Sequence, residues 1–113
     1  AKALNLIGEV KDKTAIIVDD MVDTAGTLTQ GVDALLKHGA KRVLALGTHP
    51  VLSGPAIQRL IESPIEKLIV TDTIPLSNAG EKCGKIEVVS IAPVLAEAIK
   101  RIHGNDSVSS LFD

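Results

Sequence analysis

The apolar residues change their period as the chain proceeds, and that switching restricts the fold more than any other feature. Thr14 to Asp19 is a short run rich in Ile and Val, bounded by the polar turn Lys11-Asp12-Lys13, which predicts a buried strand. From Leu28 the period becomes helical, with Leu28, Val32, Leu35 and Leu36 on one face and Gly39 after Lys37-His38 as a stop. Strands follow at Val43 to Gly47, Lys67 to Thr71 and Ile86 to Ile91. Between and after them the pattern predicts two more helices. One starts near Ser53 with Pro55 in its first turn and buries Ala56, Ile57, Leu60 and Ile61. The other runs from Pro93 to His103 with Val94, Leu95, Ala98, Ile99 and Ile102 inward, and Gly104 ends it. Leu76 to Gly84 and the last ten residues are expected to be weakly structured.

Strands alternating with helices imply parallel strands joined by right-handed crossovers, hence an α/β fold: an open parallel sheet with helices on both faces. Ligands bind such sheets beyond the carboxyl ends of the strands. Asp19-Asp20, Thr48-His49 and Asp72-Thr73 are expected at those ends, converging on one rim. The 113 residues suit one domain. Its core must be aliphatic, because Phe112 is the only aromatic residue.

Composition removes several function classes. A formal charge of -2 and the lack of aromatic stacking platforms argue against a nucleic-acid partner. No apolar run approaches the roughly 18 residues of a membrane span, and the first residues have no signal-peptide organisation. Cys83 is the single cysteine, without a partner at disulfide or metal spacing, so a reducing, cytoplasmic setting is expected.

The stretch "IIVDDMVDTAGTLTQ", Ile16 to Gln30, carries the chemistry. A tight loop leading into a helix amino terminus offers unpaired N–H groups and the positive end of the helix dipole, which suits phosphate. Gly26 is expected to let the backbone approach an anion, and the hydroxyls of Thr24 and Thr27 to donate to it. Asp23, a carboxylate beside a dianion, fits better as a cap holding the loop, or as an acceptor for a ligand hydroxyl or metal-bound water. Asp19 and Asp20 are acceptors only, suited to a vicinal diol or to Mg²⁺. Diol and phosphate together describe a ribose 5-phosphate group. An Asp pair after a strand is, by itself, more often a turn and a cap. The contiguous order of aliphatic strand, two acids and Asp-Thr-Ala-Gly-Thr entering an amphipathic helix favours the ligand site. A Walker-type nucleotide loop is absent.

These residues resemble the phosphoribosyl-diphosphate signature of type I phosphoribosyltransferases and ribose-phosphate diphosphokinases. "GAKRVLALGTHPVLSGPA", "VTDTIPLS", "LAEAIKRIH" and "SVSSLF" are similar to the carboxy-terminal part of the ribose-phosphate diphosphokinase family. The resemblance covers essentially the whole chain. It implies a partial phosphoribosyltransferase type I-like domain over residues 1–113, with a ribose-5-phosphate loop at 19–27 and a tail at 104–113.

It also implies transfer of diphosphate from ATP to the 1-hydroxyl of ribose 5-phosphate. Asp19 and Asp20 would hold the ribose hydroxyls, directly or through Mg²⁺, and Asp23, Thr24, Ala25, Gly26 and Thr27 would wrap the 5-phosphate. Ser107, Ser109 and Phe112 would help build a regulatory phosphate or ADP site at a subunit interface, in a homo-oligomer that is a hexamer by family resemblance. The family's ATP pocket and its catalytic Lys and Arg lie upstream of the residue corresponding to Ala1. The chain alone is therefore expected to bind ribose phosphate weakly and not to catalyse. The rival readings are a non-catalytic synthetase-associated regulatory subunit and a small type I phosphoribosyltransferase.

Overall fold

The computed structural model describes residues 6–113. In chain order the elements are β1 (Thr14–Val22), α1 (Gly26–Lys37), β2 (Arg42–Pro50), α2 (Ala56–Glu62), β3 (Lys67–Thr71), α3 (Asn78–Lys82), β4 (Ile86–Val89) and α4 (Ala92–His103). A 3-10 turn spans Ser109–Phe112. The strands form one parallel sheet in the order β1-β2-β3-β4. The α/β class and the open parallel sheet are as the periodicity predicts.

Register explains which face is buried. Ile17 lies opposite Ala45, Ala45 opposite Leu68 and Leu68 opposite Ile86, so their side chains form one row across the sheet. Leu28 and Val32 of α1 and Ala56 and Leu60 of α2 close over that row with Val43 and Val70. Because the strands follow one another in spatial order, right-handed crossovers carry successive helices to the same side. The opposite face, with Ile16, Val18, Leu46 and Val89, is exposed, and Val18 reaches 74%. Helices on both faces are the sequence expectation; α1 and α2 cover one.

Several local expectations are corrected. The apolar side of α4 is not inward: Val94, Leu95, Ile99 and Ile102 are each more than half exposed. Ile61 on α2 is likewise exposed. Leu76 to Gly84 does contain structure, since the Ser77 hydroxyl accepts from the Gly80 N–H at 3.1 Å and starts α3. The carboxy-terminal residues also form a turn.

β1 continues three residues past Asp19, so the two acids lie within the strand and not beyond it. Its pairing to β2 persists through Met21–His49 and Val22–Pro50. The backbone ladder is indifferent to side-chain polarity, whereas an apolar run on paper ends at the first Asp.

Candidate functional site: a phosphate-type loop on the first helix

The turn from β1 into α1 exposes a row of unused donors. Ala25 adopts the left-handed conformation at φ 63° and caps α1 without any side-chain hydrogen bond to the helix end. The first bond closing the helix runs from Thr29 N–H to the Ala25 carbonyl at 3.0 Å. Among the described residues, the N–H groups of Thr24, Ala25, Gly26, Thr27 and Leu28 have no acceptor within the chain. A left-handed residue followed by helical ones turns successive N–H groups into one concavity, and the helix dipole makes that concavity favourable for an anion. The Thr24 and Thr27 hydroxyls are exposed beside it. Asp19 and the loop from Val22 to Leu28 line a hollow of about 240 Å³ there.

A strap from the end of β2 holds this loop. Leu52 N–H donates to the Val22 carbonyl at 3.0 Å and Ser53 N–H to the Asp23 carbonyl at 3.1 Å. The Ser53 hydroxyl donates to the Asp23 carboxylate. Asp23 therefore ties the loop to the strap, the holding role among its sequence alternatives, although it does not cap α1 itself. From α2, Arg59 Nη1 donates to the Thr24 carbonyl at 3.1 Å.

Gly26 also leaves space on the side of α2. A Cβ on it would sit 3.0 Å from Arg59 Nη1, so the missing side chain makes room for the guanidinium. Ser53 and Arg59 escape sequence reasoning because they lie 30 and 35 positions from their partners, in a segment whose local pattern speaks only of a turn and a helix.

Of the two adjacent acids, one reaches the hollow beside the loop. Asp19 lines the hollow with Thr24 to Thr27, and Asp20 does not. Asp20 N–H donates to the Asp19 carboxylate at 2.8 Å, which fixes that side chain against its own backbone. Among the described residues no group of three or more His, Cys, Asp or Glu side chains is assembled as a cation cage.

A family model described as "Phosphoribosyl synthetase-associated domain" matches residues 1–113. The chain belongs to that family. It is 59% identical over 112 residues to a ribose-phosphate pyrophosphokinase of Caldanaerobacter subterraneus subsp. tengcongensis, covering 99% of this chain and 35% of that protein. A ribose-phosphate pyrophosphokinase of Aquifex aeolicus is 54% identical, with the same coverage on both sides. The chain thus spans about a third of the length of the curated relatives it matches. The fold is similar to the crystal structure of phosphoribosylpyrophosphate synthetase from Mycobacterium smegmatis, with a TM-score of 0.82 and 44% identity over 88% of this chain and 33% of that one.

Elsewhere on the rim of this phosphoribosyl synthetase-associated domain, polar side chains stitch loops together. His49 Nδ1 lies 2.9 Å from Thr73 Oγ1, and the Thr71 hydroxyl donates to the Thr48 carbonyl at 2.6 Å. The Asp72 carboxylate accepts from the Ser90 hydroxyl at 2.6 Å and from Ile91 N–H at 2.9 Å. Those two donors, the Ser90 hydroxyl foremost, hold the Asp72 carboxyl below its ordinary pKa. In the tail, the Ser107 and Ser109 hydroxyls are 2.9 Å apart, and Arg101 Nη1 donates to the Ser107 carbonyl at 3.1 Å. Phe112 is 77% exposed. The tail lies against the end of α4 and takes no part in the loop at Asp19 to Thr27.

Proposed function

We propose that this chain carries the ribose-5-phosphate half-site of a ribose-phosphate diphosphokinase. In that reaction the 1-hydroxyl of ribose 5-phosphate attacks the β-phosphorus of ATP, and 5-phosphoribosyl 1-diphosphate and AMP result. The observation that carries the reading is the run of five unpaired N–H groups from Thr24 to Leu28 at the start of a twelve-residue helix. The 5-phosphate sits on those amides and on the Thr24 and Thr27 hydroxyls. Asp19, on the same hollow, accepts from a ribose hydroxyl. The names of the relatives support the substrate assignment.

Mg²⁺ fits this donor set in the manner usual for that ion, which takes one or two carboxylates and fills its other positions with water and substrate phosphate. Asp19, on the lining of the hollow, and its neighbour Asp20 are the carboxylates that would hold it. The ion supplies neutralisation of the transferring phosphates. Holding and orienting the sugar phosphate falls to this chain; ATP is bound chiefly by other parts of a longer, homo-oligomeric, cytoplasmic enzyme. Ser107, Ser109 and Phe112 belong to its regulatory phosphate or ADP site.

The test is an NMR titration of the 113-residue chain with ribose 5-phosphate, with and without Mg²⁺, following the amides of Asp19 to Leu28. Saturable shifts concentrated at Thr24 to Thr27 and lost in Gly26→Val are expected. A folded chain whose loop amides stay unmoved at saturating sugar phosphate would count against the half-site.

A further inference from the structure

Arg59 brings positive charge to a loop that has none of its own. The segment from Asp19 to Gln30 contains Asp19, Asp20 and Asp23 and no Lys or Arg. Among the described residues, Arg59 is the one cationic side chain hydrogen-bonded to the loop. It is exposed on α2, so the fold does not depend on burying it. Its Nη1 meets the Thr24 carbonyl at 3.1 Å and lies 3.0 Å from where a Cβ on Gly26 would sit.

The geometry of a trans peptide gives that single hydrogen bond a direction. The carbonyl of Thr24 and the N–H of Ala25 belong to one planar unit and point opposite ways. A guanidinium that holds the carbonyl toward α2 therefore turns the Ala25 N–H away from α2, to the open side of the loop. Ala25 is also the residue held at φ 63°, a conformation that costs a non-glycine residue of order 1 kcal/mol and persists only where neighbours impose it. Arg59 is one of those neighbours.

We infer that Arg59 is a positioning residue for the phosphate loop: it fixes the Thr24–Ala25 peptide so that the Ala25 N–H faces the bound phosphate, and it offsets the loop's carboxylates from behind. The ligand part of this inference rests on the half-site reading above. The positioning part rests on the free loop alone.

The experiment uses the 113-residue chain and its Arg59→Gln and Arg59→Lys variants. Residual dipolar couplings report the orientation of the Ala25 N–H vector without ligand, and titration with ribose 5-phosphate reports affinity. In Arg59→Gln the Ala25 vector is expected to reorient while Leu60 and Val70 keep theirs, and the dissociation constant to rise roughly tenfold, as for loss of one charge-assisted hydrogen bond. Arg59→Lys recovers part of the affinity, because it restores the charge but not the planar fork. An unmoved Ala25 vector in Arg59→Gln overturns the positioning role. If wild type binds and Arg59→Gln binds within twofold of it, the half-site stands and the role of Arg59 falls. If the Ala25 vector moves but wild type takes up no ribose 5-phosphate, Arg59 positions the loop and the half-site reading fails.

Discussion

Val22 closes over Gly47. A Cβ placed on Gly47 would lie 2.7 Å from Val22 Cγ2, a distance at which one of the two must move. Val22 is the last residue of β1, 4% exposed, and its carbonyl receives the strap through Leu52. The contact thus joins the middle of β2 to the base of the loop between β1 and α1. Gly47→Ala is expected to lower stability by about 1–3 kcal/mol, the usual cost of overpacking a tight site, because a β-branched side chain at the end of a paired strand has little freedom to turn aside. Urea denaturation measures it. Val22→Ala in the same chain should recover part of the loss, since the two residues are in contact. A Gly47→Ala chain within about 0.5 kcal/mol of wild type would mean that Val22 is freely displaced.

The link between Ser53 and Asp23 separates two roles that the sequence leaves open for the acid. As a tie to the strap, Asp23 is needed for its oxygen and not for its charge. Asp23→Asn keeps a carbonyl oxygen for the Ser53 hydroxyl and removes a negative charge beside the phosphate. Inorganic phosphate should then bind the loop roughly two- to fourfold more tightly, as expected for one exposed like charge removed. Ser53→Ala should do the reverse, with a stability loss of about 1 kcal/mol or less. Chemical-shift titration of both variants decides it. Weaker ribose 5-phosphate binding in Asp23→Asn, with phosphate binding unchanged, would instead make Asp23 an acceptor for a sugar hydroxyl.

Asp72 sets an acid limit. Its folded pKa lies below the ordinary 3.8, so the native state favours the ionised carboxylate. Its contribution to stability is therefore complete above the ordinary value and is lost as pH falls through the lowered folded value. Urea midpoints of wild type and Asp72→Asn, followed downward from neutral pH, should keep a constant separation until about the ordinary carboxyl value and then converge. Curves that remain parallel to the lowest pH would show that Ser90 and Ile91 do not hold the ionised form.

What the sequence discloses is whatever depends on neighbours along the chain. The strand period from Thr14, the helical period from Leu28 and the punctuation at Gly39 and Gly104 are local, and the elements form where those signals fall. The turn from β1 into α1 is legible for the same reason, since Asp19 to Thr27 are nine consecutive residues with their own backbone geometry. The apparatus that holds it is not: Ser53 and Arg59 reach it only after β2 has paired with β1 and α2 has docked. Two adjacent acids read alike in the sequence, yet only Asp19 is among the residues that line the hollow. Gly26 is visible in the sequence as a residue without a side chain, whereas the guanidinium of Arg59 beside it is visible only in the fold.

The sharpest divergence between pattern and packing is α4, and it can be measured. Periodicity identifies Val94, Leu95, Ile99 and Ile102 as one apolar side, which is all that periodicity can say; whether that side is covered depends on the rest of the fold. Leu68, by contrast, is 0% exposed in the row beneath α1 and α2. Leu68→Ala should cost about 2–5 kcal/mol, the range for truncating a fully buried aliphatic residue. Ile99→Ala, at a position 60% exposed on a helix that alanine favours, should fall within about 0.5 kcal/mol of wild type. Urea denaturation of the 113-residue chain at several protein concentrations makes the comparison. A cost for Ile99→Ala near that of Leu68→Ala, independent of concentration, would mean that α4 packs onto the sheet in solution. A cost that grows with protein concentration would mean that copies of the chain cover this apolar side for one another.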